Sequence, residues 1–75
     1  MHLSREFRRH YGCSVGEYVR KLRIDFACVE LVRTRTALIE IALACGFFDQ
    51  SHFTRVFKQL TGFSPAAYRA AFRRR

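Results

Sequence analysis

Apolar residues fall along this chain in five runs at three- and four-residue spacing, and no stretch alternates apolar with polar residues long enough to read as a strand. The pattern predicts five helices. The first runs from about Met1 to Tyr11, with Leu3 and Phe7 on one face and Gly12 as its stop. The second starts at Ser14, where Ser14 and Glu17 stand at capping-box spacing, and continues to about Arg33. Val15, Tyr18, Val19, Leu22, Phe26 and Val29 form one apolar stripe on it. Ile24, Cys28 and Leu31 form another on a different side. A helix apolar on two sides is expected to be covered on both.

The third helix spans about Ala37 to Cys45, with Leu38, Ile41, Ala42 and Cys45 facing inward and Gly46 ending it. Asp49 caps a fourth helix whose stripe is Phe53, Val56, Phe57 and Leu60. Ser64 caps the fifth, with Pro65 at its first position, where a missing N–H does no harm. That helix carries Tyr68 and Phe72 and is expected to fray in Arg73, Arg74 and Arg75. The third and fourth helices, joined at Gly46, have the layout of a helix-turn-helix, and Phe47 is placed to plug the corner.

The chain also repeats itself. His2, Arg5, Phe7, Gly12, Ser14 and Tyr18 recur fifty positions later as His52, Arg55, Phe57, Gly62, Ser64 and Tyr68. Opposite Phe53 and Phe57, the fourth helix carries Ser51, Thr54, Arg55 and Lys58, with Gln50 and His52 near the edges. The first helix carries Met1, Ser4, Arg5 and Arg8 in the same way, with Arg9 alongside. A charged helix face is usually no more than solvated, but chance solvation gives no reason for His-x-x-Arg to return with the same flanks. Arginine can donate two hydrogen bonds to guanine, and glutamine can pair with adenine. A helix of about twenty residues between the copies spans roughly 30 Å. Successive major grooves on one side of B-DNA recur about every 34 Å. The spacing therefore suits two similar helices entering adjacent grooves.

Composition narrows the partner. The 75 residues hold 14 Lys and Arg against 6 Asp and Glu, a net charge of +8, which calls for an anionic partner. The length allows one domain. Three cysteines, Cys13, Cys28 and Cys45, are odd in number and widely spaced, so they read as reduced apolar residues and not as a disulfide framework or a zinc site. Without a signal peptide or a long apolar run, the expected location is the cytoplasm, with no membrane partner. No catalytic set, phosphate loop or metal-ligand cluster is visible, so neither enzyme activity nor a cofactor is expected. Tyr18 and Tyr68 read as core residues with bonded hydroxyls.

The stretch IEIALACGFFDQSHFTRVFKQLTGFSPAAYR, together with HLSREFRRHYG and KLRIDFA upstream, resembles the AraC/XylS family of bacterial transcription regulators over essentially the whole chain. The matching positions run through Ile41–Phe47, Asp49–Phe53, Arg55, Phe57, Gly62, Ser64, Pro65, Tyr68 and Arg69. The resemblance implies an all-α, homeodomain-like fold of two helix-turn-helix units joined by a long central helix. Residues 1–12 would be the recognition helix of an incomplete first unit, 14–34 the linker helix, 37–62 the second unit and 64–75 a C-terminal helix.

It implies further that Gln50, Ser51 and Arg55 face bases in one groove, and Ser4 and Arg5 in the other. His52, Thr54, Lys58, Arg8 and Arg9 would touch phosphates, as would backbone N–H groups near Asp49. Double-stranded DNA is the implied partner, and RNA polymerase a second one. The family's domain is longer at its N-terminus, so this sequence is expected to be a shortened domain whose first unit lacks its supporting helix. Ala37 stands where the family often has a capping Ser or Thr, leaving Thr36 as the candidate cap, and Phe48 is expected at the surface of the turn. The rival expectation is a protein-interaction or dimerisation module built on the apolar face left uncovered around Leu3 and Phe7.

Overall fold

The computed structural model of the chain describes residues 2–73, without the side chains of His2, Leu3, Ser4 and Glu6. Five α-helices follow in order: α1 (His2–Tyr11), α2 (Val15–Arg33), α3 (Leu38–Ala44), α4 (Gln50–Thr61) and α5 (Pro65–Phe72). No strand occurs among the described residues. The all-α expectation holds, and the helix limits lie within a residue or so of those expected.

The local signals act as their chemistry predicts. At Ser14 the hydroxyl accepts from the Glu17 N–H at 3.1 Å, while the Glu17 carboxylate accepts from the Ser14 N–H at 2.9 Å. Asp49 Oδ1 accepts from the His52 N–H at 2.7 Å, and Ser64 Oγ from the Ala67 N–H at 3.1 Å. α3 differs. Its cap position is Ala37, which has no side-chain acceptor, and the Glu40 and Ile41 N–H groups bond to the Ala37 carbonyl. Thr36 lies one residue too early to cap this helix.

The core lies between α2, α3, α4 and α5. Ile24, Ala27 and Leu31 of α2 meet Ile41, Ala42 and Cys45 from α3 and its end, with Phe47, Phe53, Val56 and Phe57. The turn after α3 closes by two crossed bonds, from the Phe47 N–H to the Ala42 carbonyl and from the Gly46 N–H to the Leu43 carbonyl, both 3.0 Å. This places Gly46 at φ +95°, a left-handed conformation that suits glycine. Phe47 is buried in the corner as expected, edge-on to Phe53 with ring centres 5.4 Å apart. Tyr68 is half-buried against the core and not a full core residue, and the Cys28 thiol beside its hydroxyl pushes the phenol above its ordinary range.

The expectation that α2 is covered on both apolar sides holds for one side only. Leu22 is 50% exposed and Phe26 and Val29 each 46% exposed, whereas Leu31 is fully buried. Among the described residues no buried side chain precedes Ile24. α1 packs at the start of α2, where Phe7, Tyr11 and Tyr18 form an aromatic cluster with ring centres 4.5–5.4 Å apart. A ten-residue helix set against the first turns of α2 does not reach Phe26 or Val29. The result is elongated, 45 × 23 × 17 Å, with α2 as its rod.

Candidate nucleic-acid interface

α4 is amphipathic because Phe53, Val56 and Phe57 turn inward at helical spacing and leave the polar positions outward. Gln50, Ser51, Thr54, Arg55 and Lys58 line one shallow surface groove on that outer side. Ser51, Thr54, Arg55 and Lys58 were expected there and Gln50 near the edge, and the helix brings all five together. His52 stands apart from that groove: its ring lies edge-on to Phe47 at 5.2 Å, a helix-edge packing position. The start of α4 is occupied by the Asp49 carboxylate, which takes the His52 N–H and places a negative charge where a phosphate was expected.

On α1, Arg5, Arg8 and Arg9 are exposed, while the Ser4 side chain lies outside the described residues. Arg8 is close enough to Glu17 to act on its charge. The Glu17 carboxyl is held below its ordinary range first by the Ser14 N–H, then by the Ser14 hydroxyl, with smaller contributions from Arg8 and Arg20.

The two copies of the repeat share backbone geometry as well as residues. α1 ends at Gly12 with φ +74° and α4 at Gly62 with φ +83°. The Gly12 N–H bonds to the Arg8 carbonyl at 2.8 Å, and the Gly62 N–H to the Lys58 carbonyl at 2.9 Å. Ser14 caps α2 at φ −72°, ψ 162°, and Ser64 caps α5 at φ −70°, ψ 157°. Phe7 meets Tyr18 edge-on at 5.2 Å, and Phe57 meets Tyr68 edge-on at 5.4 Å. The same turn thus fixes α1 to the start of α2 and α4 to the start of α5.

Two basic residues outside the expected set are engaged in the fold. A Cβ added to Gly46 would come within 3.1 Å of the Arg23 guanidinium, so Arg23 lies over the helix-turn-helix corner. Arg69 reaches from α5 to three backbone carbonyls at the end of α2 and in the segment after it. Neither sits on an apolar stripe or in the repeated set, which is why pattern alone did not single them out. No group of three or more His, Cys, Asp or Glu side chains gathers among the described residues, and no described helix is long and apolar enough to cross a membrane.

Residues 1–71 match the family model described as a helix-turn-helix domain. The HTH-type transcriptional activator AarP of Providencia stuartii is 44% identical over 68 residues, which cover 91% of this chain and 50% of that protein. The chain thus spans about half the length of this curated relative. The C-terminal domain of AraT, a response regulator from Geobacillus stearothermophilus, superposes with a TM-score of 0.96 at 31% identity, over 99% of this chain and 61% of that one. The DNA-binding domain of AdpA, a global transcriptional factor solved in complex with a target DNA, gives a TM-score of 0.87 at 32% identity, over 92% of this chain and 62% of that one. Motif, fold and relatives agree, and the chain belongs to the AraC-type helix-turn-helix family of transcription-regulator DNA-binding domains.

Proposed function

We propose that this chain reads double-stranded DNA through two helices set into successive major grooves. α4 would present Gln50, Ser51 and Arg55 to base edges, with Thr54, Lys58 and His52 toward phosphates. α1, as the recognition helix of a first unit, would present Ser4 and Arg5 to bases, with Arg8 and Arg9 toward phosphates. α2 would be the spacer, and residues 37–62 the second unit. The observation that carries this reading is the recurrence of one turn geometry, from Gly12 to Tyr18 and from Gly62 to Tyr68. α2 has 19 residues, a rise of about 28 Å, close to the groove repeat. Most of the affinity would come from counterion release by Lys and Arg, and the specificity from the few base-facing side chains. As part of a transcription regulator the chain would act in the cytoplasm, with RNA polymerase as its further partner.

Selection of bound duplexes from a random pool tests this. A two-part motif with centres about ten base pairs apart is expected; a single half-site would leave α1 without a reading role. Arg55→Ala should lower affinity for the selected site by about 1–3 kcal/mol and relax one base position, and equal loss on random DNA would remove its base contact. Lys58→Ala should weaken all sequences alike and flatten the salt slope by about one unit, and an unchanged slope would remove its phosphate contact.

A second reading has one observation behind it. The exposed row of Leu22, Phe26 and Val29 supports self-association of the chain through α2. Sedimentation across a concentration series tests it, and a monomer throughout would end it.

A further inference from the structure

Arg69 is an arginine of the matched motif that has no part in DNA reading, although its side chain is among the most thoroughly bonded in the fold. Its Nε donates to the Leu31 carbonyl at 3.0 Å, and its Nη2 donates to the Thr36 carbonyl at 2.7 Å and the Thr34 carbonyl at 3.3 Å. These carbonyls belong to the last turn of α2 and to the segment that enters α3. Helix ends leave their final carbonyls without intrahelical partners, and a cation there also meets the negative end of the helix dipole. The Glu30 carbonyl is satisfied by Thr34, through its N–H at 3.0 Å and its hydroxyl at 2.8 Å. Arg69 supplies the next one.

The placement matters more than the bonds alone. The entry to α3 has no side-chain cap, since Ala37 holds that position. The backbone just before it is therefore held from outside the helix, by a planar fork on α5. α5 in turn carries Tyr68, whose ring packs on Phe57 of α4. One side chain thus ties together the end of the rod, the start of the helix-turn-helix and the helix after the reading helix. The first copy of the repeat has Val19 at the corresponding place, so the fork belongs to the second unit alone.

We propose that Arg69 is a positioning residue: it sets the angle at which the α3–α4 unit leaves α2, and hence the spacing of the two DNA half-sites that the chain accepts. This rests on the two-groove reading. A rigid joint makes binding of the second half-site effectively intramolecular, and a loosened joint lowers its effective concentration. One base pair of added or removed spacer also rotates a half-site by about a tenth of a turn, which a rigid joint does not follow.

The test uses the 75-residue chain and the duplex it selects, with spacers of native length and one base pair shorter or longer, beside the isolated second half-site. Arg69→Gln removes the charge and most of the fork. Arg69→Lys keeps the charge but cannot reach three carbonyls in a plane. The wild type should prefer the native spacing by about tenfold. Both variants should lose most of that preference and still bind the isolated half-site within about twofold of wild type.

A wild type without spacing preference would fail the two-groove reading itself, and the role of Arg69 with it. A wild-type preference that survives in both variants would overturn the role of Arg69 alone. So would full recovery by Lys, which would make the residue a simple cation, or equal loss on the isolated half-site, which would make it a local prop. Should Arg69→Gln fail to fold, the Lys variant carries the comparison. The Nε–H resonance of Arg69 in the wild type gives an independent readout. It should exchange slowly with water, and exchange as fast as that of the exposed arginines would overturn the latch.

Discussion

Leu31 and Val29 stand two residues apart on the same helix and should answer the same substitution very differently. Leu31 is fully buried against the core, while Val29 is 46% exposed on the uncovered side. Leu31→Ala removes about three methylene equivalents, roughly 2.4 kcal/mol of transfer energy, and leaves a cavity that brings the cost to about 3–4 kcal/mol. Val29→Ala removes about two such groups, worth roughly 1.6 kcal/mol if fully buried and about 0.8 at half exposure. Alanine is the better helix former by about half a kcal/mol, so the net cost is roughly 0.3. A chain of this size has about 4–11 kcal/mol of stability in all. Leu31→Ala should therefore lower the thermal midpoint by about 12–30 °C and Val29→Ala by no more than about 3 °C. Urea and thermal unfolding followed by circular dichroism, repeated at several protein concentrations, measure both. Similar losses for the two variants would refute the reasoning. They would mean that the outer side of α2 is covered in solution, and a concentration-dependent midpoint would then point to a second copy as the cover.

Two further outcomes follow from titrating groups. The Glu17 carboxyl is held low by the Ser14 N–H in the folded chain, so the unfolded chain takes up the proton first. Its contribution is complete above the ordinary Glu range, about pH 4.3, and is lost as the pH falls through the lower folded value. Glu17→Gln keeps a cap without the titration, so the stability gap between wild type and variant should close on acidification; parallel curves would remove the capping carboxylate from the acid response. Burial pushes the Cys45 thiol up to about 11, with Glu30 adding to the shift. Alkylation of the native chain near pH 8 should therefore modify Cys45 more slowly than the half-buried Cys13, and equal rates would contradict its buried, protonated state.

Much of the fold was legible because its punctuation is chemical and local. Ser14, Asp49 and Ser64 each place an oxygen where a helix start has an unpaired N–H. Gly12, Gly46 and Gly62 each take a positive φ that other residues avoid. Such signals need only a few neighbouring residues. What covers a helix face is a different kind of fact. The period of α2 shows that two sides are apolar, and it shows equally well for Leu31 and Phe26. It does not say that packing partners reach one and leave the other half in water. That depends on which helices lie alongside, and helical spacing in α2 carries no mark of them.

The candidate site divides along the same line. Helix arithmetic on α4 picks out Ser51, Thr54, Arg55 and Lys58 as outward with Gln50 at the edge, and the five share one groove because adjacency on a helix surface follows from spacing alone. It treats His52 as one more edge residue, since the edge-on contact with Phe47 is set by the turn and not by the period. Arg69 marks the limit. Its acceptors are the carbonyls of Leu31, Thr34 and Thr36, and every residue has a carbonyl. A side chain that bonds to another side chain leaves two marks in a sequence; one that bonds to backbone leaves a single mark. An arginine on a short helix in a basic chain then reads as one more solvated charge. A joint built from a side-chain donor and main-chain acceptors becomes visible only when the backbone is placed, and here it holds the segment where the rod meets the reading unit.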